Sequence, residues 1–580
     1  MSKNVSEQLV DMLADAGVKR IYAVTGDSLN PVNDAIRRDG RIRWVHVRHE
    51  EVGAYAAGAE AQLTGNISCC AGSSGPGHVH LVNGLYDAHR TGAPVLAIAS
   101  TCQSTEFGME YHQETNPIKL FDDCSLYNQI AFTPEQLPRM LQAGMQQALQ
   151  RGGVAVIGLP GDVAAAAAAE SRSALKVYRT NSVIRPSEEE INTLADLLNS
   201  EENIVLFCGY GCRGAHQEVI ELAEKLKAPV AYSFRGKMEV EYDNPFAVGM
   251  TGLLGMTSGY EAMHDASVLV LLGSDFPYTP FLPKKNKIVQ IDIKPERLGR
   301  RADLDMGLQG DVKDTLSALL PLLKPKKAER FLQAQKTIYK KATDHLYENV
   351  IDHHGEENAI HPEYVASVID RLADDSAVFC VDTGMCCVWG ARYIHATKGR
   401  DLLGSFVHGS MANAMPQAIG AALACPDRQV IAMCGDGGIS MLLGDLMTVS
   451  QYKLPIKIII FNNRSLGMVK LEMEVAGIVD WQTDMVDPDF EKIAAAMGIE
   501  GIRITSPDAI EAGLEKAFKA DGPVVVNVMT DPNALALPPH IEWKQMKGFA
   551  LSMTKMMLDG RKREVIDTVK SNLNHLDDLL

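Results

Sequence analysis

Val430-Ile431-Ala432-Met433-Cys434-Gly435-Asp436-Gly437-Gly438, followed by Ile456-Lys457-Ile458-Ile459-Ile460-Phe461-Asn462-Asn463-Arg464-Ser465-Leu466-Gly467, is the stretch whose reading decides the fold. Each half is a short apolar, β-branched run that stops at a turn, the pattern of a strand buried on both faces of a parallel sheet. Two such strands ending side by side place Asp436 and Asn463, 27 residues apart, on one carboxyl edge, where doubly wound sheets bind ligands. A carboxylate, an amide oxygen and a turn carbonyl such as that of Ser465 are hard oxygen donors suited to Mg²⁺ bridging a diphosphate. Glycines at 435, 437 and 438 let backbone N–H groups approach phosphate oxygens without side-chain clash. Gly-Asp-Gly alone is usually just a turn. The pair at two strand ends carries the signal.

The same alternation extends toward the N-terminus. Val5, Leu9, Met12 and Leu13 give the helical spacing of a segment ending at Gly17, and strands are expected at 20–24, 67–71 and 94–100. A polar stretch, Ser171 to Glu190, reads as a linker. A second block follows, with strands at 204–208, 268–272 and 288–293, and then a charged, helix-compatible connector from Lys324 to Glu357. The third block adds strands near 377–381, 429–434, 456–462 and 524–528. Past Pro538-Pro539, apolar residues recur every three or four positions at Phe549, Met553, Met556 and Met557, and again at Ile566, Val569, Leu573, Leu576 and Leu580. This predicts two amphipathic helices broken at Asp559-Gly560-Arg561. The fold class is α/β: three doubly wound parallel-sheet domains plus a C-terminal amphipathic helical tail, bounded at 1–182, 183–334, 335–530 and 531–580.

Composition agrees with several packed cores. At about 150 residues per domain, 580 residues allow about four units. The 46% hydrophobic and 22% charged content excludes a disordered or fibrous chain. A net charge of −17 repels phosphate backbones, so no nucleic-acid partner is expected. Eleven cysteines without zinc-ligand spacing read as reduced, buried thiols of a cytoplasmic protein. Glu7, Asp11 and Asp15 stand where a signal peptide needs an apolar run. The uncharged stretch from Leu402 to Pro426 carries too many polar residues for a membrane span.

Together the Asp436 and Asn463 turns resemble the signature of thiamin-diphosphate (ThDP) enzymes, and the ThDP-binding fold is what the resemblance implies for the sheets. It also implies an acid facing the aminopyrimidine ring. Arg48-His49-Glu50-Glu51 matches that motif with Glu50 as the acid, leaving Glu51 as a solvated surface residue. Gly26-Asp27-Ser28, Gly72-Ser73-Ser74-Gly75-Pro76-Gly77, Asn83-Gly84-Leu85-Tyr86-Asp87, Gln113-Glu114-Thr115 and the run Gly409 to Pro416 are similar to the acetolactate synthase–pyruvate oxidase branch. By that resemblance Met411 is the apolar wedge that bends ThDP, with Gly409 and Ser410 along it. Asp436, Gly437, Gly438, Asn463, Arg464, Ser465, Leu466, Gly467, Met468 and Val469 hold the diphosphate end, and Asp436, Asn463 and Ser465 bind Mg²⁺.

In the second block, Gly209-Tyr210-Gly211-Cys212-Arg213-Gly214 fits a loose G-x-G-x-x-G, weak by itself. The FAD segments of the branch match Thr251, Gly252, Leu253 and Leu254, then Ser274, Asp275, Phe276, Pro277 and Tyr278, then Asp292, placed for a ribose hydroxyl. Acetolactate synthases place tryptophan where Glu472 stands, whereas pyruvate oxidases place glutamate there. Glu472 therefore points to oxidation. Over about residues 1 to 572 the chain is most similar to the quinone-linked bacterial pyruvate dehydrogenases, also called pyruvate oxidases.

The resemblance implies oxidative decarboxylation of pyruvate to acetate and CO₂, electrons passing through FAD to a membrane quinone. Glu50, Glu472, Met468, Gln113 and His112 are the expected catalytic residues. It further implies a homotetramer and a tail that contacts a phospholipid membrane surface, holding a cytoplasmic protein peripherally at the inner face of the cell membrane. An acetolactate-forming carboligase and a phosphate- and oxygen-dependent oxidase making acetyl phosphate stay open. So does packing of the tail on its own core or on a neighbouring subunit. Three positions depart from the branch: His112 and Met468 replace phenylalanines near the substrate methyl group, and Asn574 to Leu580 extend the tail with added acidic charge.

Overall fold

The computed structural model describes residues 3–169, 176–351, 359–534 and 543–572. Eighteen strands form three six-stranded sheets, and every strand pair within them is parallel. The first holds β1 (Arg20–Ala23), β2 (Arg43–His46), β3 (Ser68–Gly72), β4 (Val95–Thr101), β5 (Tyr127–Ile130) and β6 (Val154–Pro160). The second holds β7 (Ile204–Cys208), β8 (Val230–Tyr232), β9 (Ala247–Met250), β10 (Val268–Leu272), β11 (Lys287–Asp292) and β12 (Met306–Gln309). The third holds β13 (Val378–Val381), β14 (Asp401–Gly404), β15 (Val430–Gly435), β16 (Ile456–Asn462), β17 (Glu500–Ile504) and β18 (Val524–Met529). The central strands β4, β7, β10 and β16 are buried at every residue, as parallel strands covered on both faces must be.

Sheet order separates the units by kind. The first runs β2-β1-β3-β4-β6-β5 and the third runs β14-β13-β15-β16-β18-β17, which is one topology used twice. The second runs β9-β8-β7-β10-β11-β12 when read from its β9 edge. Numbered within the unit that is 3-2-1-4-5-6, the order of dinucleotide-binding sheets. Each sheet therefore has a point where the winding reverses and a crevice opens at the carboxyl ends, between β1 and β3, between β7 and β10, and between β13 and β15; in the first and third the chain also turns back at the far edge, where β6 and β18 lie inside β5 and β17.

The first and third units pack on each other through two helices, Glu50–Thr64 and Ala414–Ala424, both enclosed over most of their surface. Ala54, Ala57 and Ala61 share one apolar core with Ala418, Ala421 and Ala422. Small side chains let the backbones approach: a Cβ at Gly420 would stand 2.2 Å from the Ala56 carbonyl oxygen. A helix that is apolar all round is stable only when buried on all sides, which is why the Leu402–Pro426 stretch folds as a strand end, a turn and a core helix. No described helix is long and apolar enough to cross a membrane.

The linker region ends where Ser187 caps the helix Glu188–Ser200, and Arg185 pairs with Asp314 of the second unit at 2.5 Å. The alanine run after β6 turns back onto the N-terminus, where the Ser6 hydroxyl donates to the Ala164 carbonyl at 2.7 Å. The two tail helices are Trp543–Leu558 and Lys562–Ser571, separated at the left-handed Gly560. Met553 and Met556 face inward as their spacing predicts, whereas Met557 and Ile566 are half-exposed and Val565 takes the buried position. Leu573, Leu576 and the extension Asn574 to Leu580 lie outside the described residues. All eleven cysteines are free, Cys425 half-buried and the rest buried.

Candidate active site

The Asp436 and Asn463 turns do meet on one edge. β15 and β16 pair in register from Val430 against Ile456 to Gly435 against Phe461, so Asp436 and Asn463 leave adjacent strand ends. Asp436 opens the helix Asp436–Met441, and its Oδ1 accepts the Gly437 N–H at 2.9 Å. Burial pushes this carboxyl up to about 6, against which the backbone N–H groups of Gly437, Arg464 and Ser465 act. Asp436 Oδ2 and Ser465 Oγ are both enclosed with no hydrogen-bond partner among the described residues. Buried oxygens left unpaired cost free energy, and a divalent cation of hard character satisfies such a set. The donor set therefore fits Mg²⁺.

Around these oxygens the chain packs closely. A Cβ at Gly437 would meet Leu466 Cδ2 at 2.8 Å, Met485 Sδ at 3.2 Å and Met411 Cε at 3.3 Å. Met411, Leu466 and the cation turn, expected together, are thus gathered in one place. Met485 joins them unforeseen, because the segment after the helix Gly467–Val475 folds back: Leu466 N–H donates to Thr483 O and Met485 N–H to Arg464 O, both at 2.8 Å. Arg464 sits at φ 55°, a left-handed turn that lets the Asn463 amide oxygen accept the Ser465 N–H at 3.1 Å. Met468 and Glu472 are four residues apart on the following helix and so share a face. Met468 is half-buried; Val469 and Glu472 are exposed.

Glu50 is the first residue of its helix, capped by His49, whose ring accepts the Glu51 N–H at 3.3 Å. It is buried, and His80 Nδ1 lies 2.9 Å from its Oε2. His49 and His80 stack at 4.4 Å. A Cβ at Gly77 would meet Ser73 Oγ at 2.5 Å and Glu50 Oε1 at 3.2 Å, so glycine here lets the Ser73 turn close down beside the carboxyl. His80 escaped the sequence reading, since it lies 30 residues from Glu50 with no motif of its own. Glu51 is not a solvated surface residue: Asn83 Nδ2 donates to its Oε1 at 2.8 Å and also to Ser410 Oγ at 2.9 Å. Asn83 Oδ1 in turn contacts His408 Nε2 at 2.8 Å. The amide thereby ties the Glu50 helix to the Gly409–Met411 run, on which Gly409 takes φ 78°.

Gln113, at φ 60°, seats its backbone against Gly75 and accepts the Ser74 hydroxyl at 3.0 Å. His112 and Gln113 are exposed beside the turn at the end of β3. Beneath that turn His78 is enclosed; its Nδ1–H donates to Ser100 O at 2.8 Å and its Nε2 accepts from Thr115. Burial drives this imidazole down to about 4. Among the described residues no hydrogen bond or ion pair joins Glu50 to the Asp436 turn.

In the second unit the expected flavin segments all leave carboxyl ends of one sheet: 209–214 after β7, 251–255 after β9, 273–278 after β10, and Asp292 at the end of β11. At the reversal point Gly211 N–H donates to Gly273 O at 2.9 Å, and a Cβ at Gly211 would stand 2.6 Å from Gly273 Cα. Thr251 Oγ1 is enclosed without a partner among the described residues. Asp292 is buried, which raises its carboxyl, and its Oδ1 accepts the Lys294 N–H at 2.9 Å. Asp275 is held by arginines: Arg300 Nε donates at 2.8 Å and Arg301 lies at 3.3 Å. Burial alone would raise it, but these guanidiniums hold it below the usual carboxylate range. Glycine-lined strand ends plus an unpaired hydroxyl and a strand-end carboxylate are donors and acceptors that fit a dinucleotide.

The tail seats on the helix that carries Glu472. A Cβ at Gly548 would stand 2.1 Å from Val475 O, Lys555 Nζ donates to Gly477 O at 2.7 Å, and Arg561 makes two bonds to Asp480 at 2.7 and 3.0 Å.

Comparison with known proteins covers all three units. Residues 3–121 match the N-terminal TPP binding domain of thiamine pyrophosphate enzymes, 191–319 the central domain, and 382–528 the C-terminal TPP binding domain. The Bacillus subtilis protein YdaP, whose name includes thiamine pyrophosphate, is 34% identical over 574 residues, 98% of this chain and 99% of that one. Pyruvate oxidase of Lactiplantibacillus plantarum is 30% identical over 532 residues, 90% and 87% of the two chains. The large subunit of acetolactate synthase isozyme 2 from Escherichia coli is 30% identical over 546 residues, 91% and 96%.

Proposed function

The chain belongs to the thiamine pyrophosphate enzyme family, and from that premise we propose that it is a pyruvate dehydrogenase of the quinone-linked kind, using ThDP, Mg²⁺ and FAD. The overall change is pyruvate plus water plus quinone giving acetate, CO₂ and quinol, with two electrons and two protons passing to the acceptor. Bound ThDP supplies an electron sink for the pair left by departing CO₂, and bound FAD a two-electron acceptor. Asp436, the Asn463 amide oxygen and the Ser465 carbonyl would hold the cation. Met411, whose Cε lies beside Gly437, would line the seat of the cofactor. Glu50 would face the aminopyrimidine ring of the bound cofactor, while His80, 2.9 Å from its Oε2, orients the carboxyl. Met468, His112 and Gln113 border the substrate, and Glu472 presents a carboxylate to the reacting carbons. Gly211, Thr251 to Leu254, Ser274 to Tyr278 and Asp292 form the flavin seat.

The observation that carries this reading is Glu472, an open carboxylate one turn beyond Met468 on the helix that starts at the cation turn. Anaerobic pyruvate added to the flavin-loaded protein should bleach the flavin absorbance, and acetate should appear when a quinone is supplied. Unbleached flavin with acetolactate as product would replace this reading with the carboligase, which the similarity to acetolactate synthases favours. Acetyl phosphate formed from pyruvate and phosphate would replace it with the oxygen-using oxidase.

The membrane reading has separate support. Trp481, Val486 and Leu558 expose apolar side chains, at 75%, 86% and 82%, and Lys562 opens the second tail helix with its side chain exposed. Such a surface suits an anionic lipid face. We infer that the chain works as a homotetramer in the cytoplasm, joining the inner membrane face peripherally. Lipid vesicles should raise turnover with a quinone acceptor, and deletion after Pro539 should abolish that response. Vesicles that neither bind nor activate would leave the tail as packing alone.

A further inference from the structure

The crevice of the third sheet lies between β13 and β15, and Asp382 is the first residue past β13. Its side chain is enclosed, with the residue 1% exposed. Oδ1 accepts the N–H of Ala414, first residue of the helix Ala414–Ala424, at 2.9 Å. Oδ2 has no hydrogen-bond partner among the described residues. It presses on the cation turn instead: a Cβ at Gly438 would stand 2.1 Å from Oδ2. Asn413 extends the same tie, accepting the Thr383 N–H at 3.3 Å and donating to Val381 O at 2.9 Å. One carboxylate thus spans the run that ends in Met411-Ala412-Asn413 and the turn that holds Asp436, Gly437 and Gly438.

A buried carboxylate with no cation beside it costs folding free energy, and an apolar side chain would fill a strand end more cheaply. The expense is intelligible if the group serves the ligand seat. We propose that Asp382 is a positioning residue that sets the spacing between Met411 and the Asp436–Gly438 turn, so that the seat for thiamine diphosphate and its cation exists before either binds. This rests on the reading of that turn as the seat. Asp382 need not touch the cofactor: it acts through Ala414 and Gly438, as groups behind metal ligands do.

The test uses the full chain freed of ThDP and Mg²⁺ by a chelator, then titrated with ThDP at saturating Mg²⁺ and followed by intrinsic fluorescence. The unaltered chain should saturate; no saturable binding there would overturn the seat itself, and the proposal with it. In Asp382→Asn the ThDP concentration for half-saturation should rise about 10- to 100-fold. The thermal midpoint of the cofactor-free chain should stay with that of the unaltered protein, and turnover at saturating ThDP should fall less than the affinity. Asp382→Ser, which removes Oδ2 and places nothing on Gly438, should give the same split, so it decides the matter if Asp382→Asn does not fold. Unchanged half-saturation in the folded variants, or a loss of affinity that only tracks a lower thermal midpoint, would overturn the positioning role.

Discussion

His78 is locked under the Gly72–Gly77 turn as a neutral imidazole, donating from Nδ1 and accepting at Nε2. Desolvation holds it down to about 4 in the folded protein, whereas an unfolded chain protonates near 6.5. Unfolding therefore takes up a proton between those values, and stability falls as pH drops from about 6.5 to 4. The contribution lost is on the order of 3 kcal/mol. Asp87, raised to about 6 by burial between Ser405 and Gln417, works in the opposite sense, losing stability as pH rises from about 4 to 6. The His78 share is isolated by comparison with His78→Gln, whose thermal midpoint should fall less than that of the unaltered chain between pH 6.5 and 4.5. Equal falls would remove His78 as a source of acid sensitivity. At Glu50 the expectation is chemical: Glu50→Gln should keep bound cofactor but lose turnover by about 10²- to 10⁴-fold, measured with pyruvate and a quinone. Glu50 was legible because its motif is contiguous. His80 and Asp382 were not, since each works through a partner far along the chain.

Among the elements, the helix pair Glu50–Thr64 and Ala414–Ala424 has the least room to give. Gly420→Ala would force a methyl group into the Ala56 carbonyl, an overpacking cost of about 1–3 kcal/mol that should lower the thermal midpoint. An unchanged midpoint would mean the helices slide apart freely. The strands expected from the sequence lie within a residue or two of their places, because a buried parallel strand is a continuous apolar run with its turn residues at its end. By contrast β5, β9, β12, β14 and β17 at sheet edges, and β6 and β8, are not among those expected. Tail helices were readable from their spacing, but their inward face was only half right: Met557 and Ile566 stay open because Gly548 and Arg561 set the rotation by seating on Val475 and Asp480. Asp480 is buried and Arg561 partly so, so Arg561→Ala strands a carboxylate at a cost of roughly 1–3 kcal/mol. Limited proteolysis should then cut the tail faster than in the unaltered chain. Equal cutting rates would show that the ion pair does not hold it.

At the scale of the whole molecule, one sheet topology occurs twice, with a dinucleotide-type sheet between. The first unit supplies Glu50 and the third supplies Asp436, yet among the described residues no hydrogen bond or ion pair joins the two. The homotetramer proposed above gives the test at this scale: dilution to monomers, followed by sedimentation, should abolish turnover in step with dissociation. A fully active monomer would refute that arrangement. By itself the sequence determined the three α/β units and set Asp436 and Asn463 at adjacent strand ends, because strand runs and the residues that end them are neighbours in the chain. Only the tertiary structure decided that Asp382 presses on Gly438, that Asn83 joins Glu51 to Ser410, and that the tail locks onto Asp480. Those contacts depend on how closely two backbones approach, a distance set by packing between residues far apart in the chain, for which no local pattern exists.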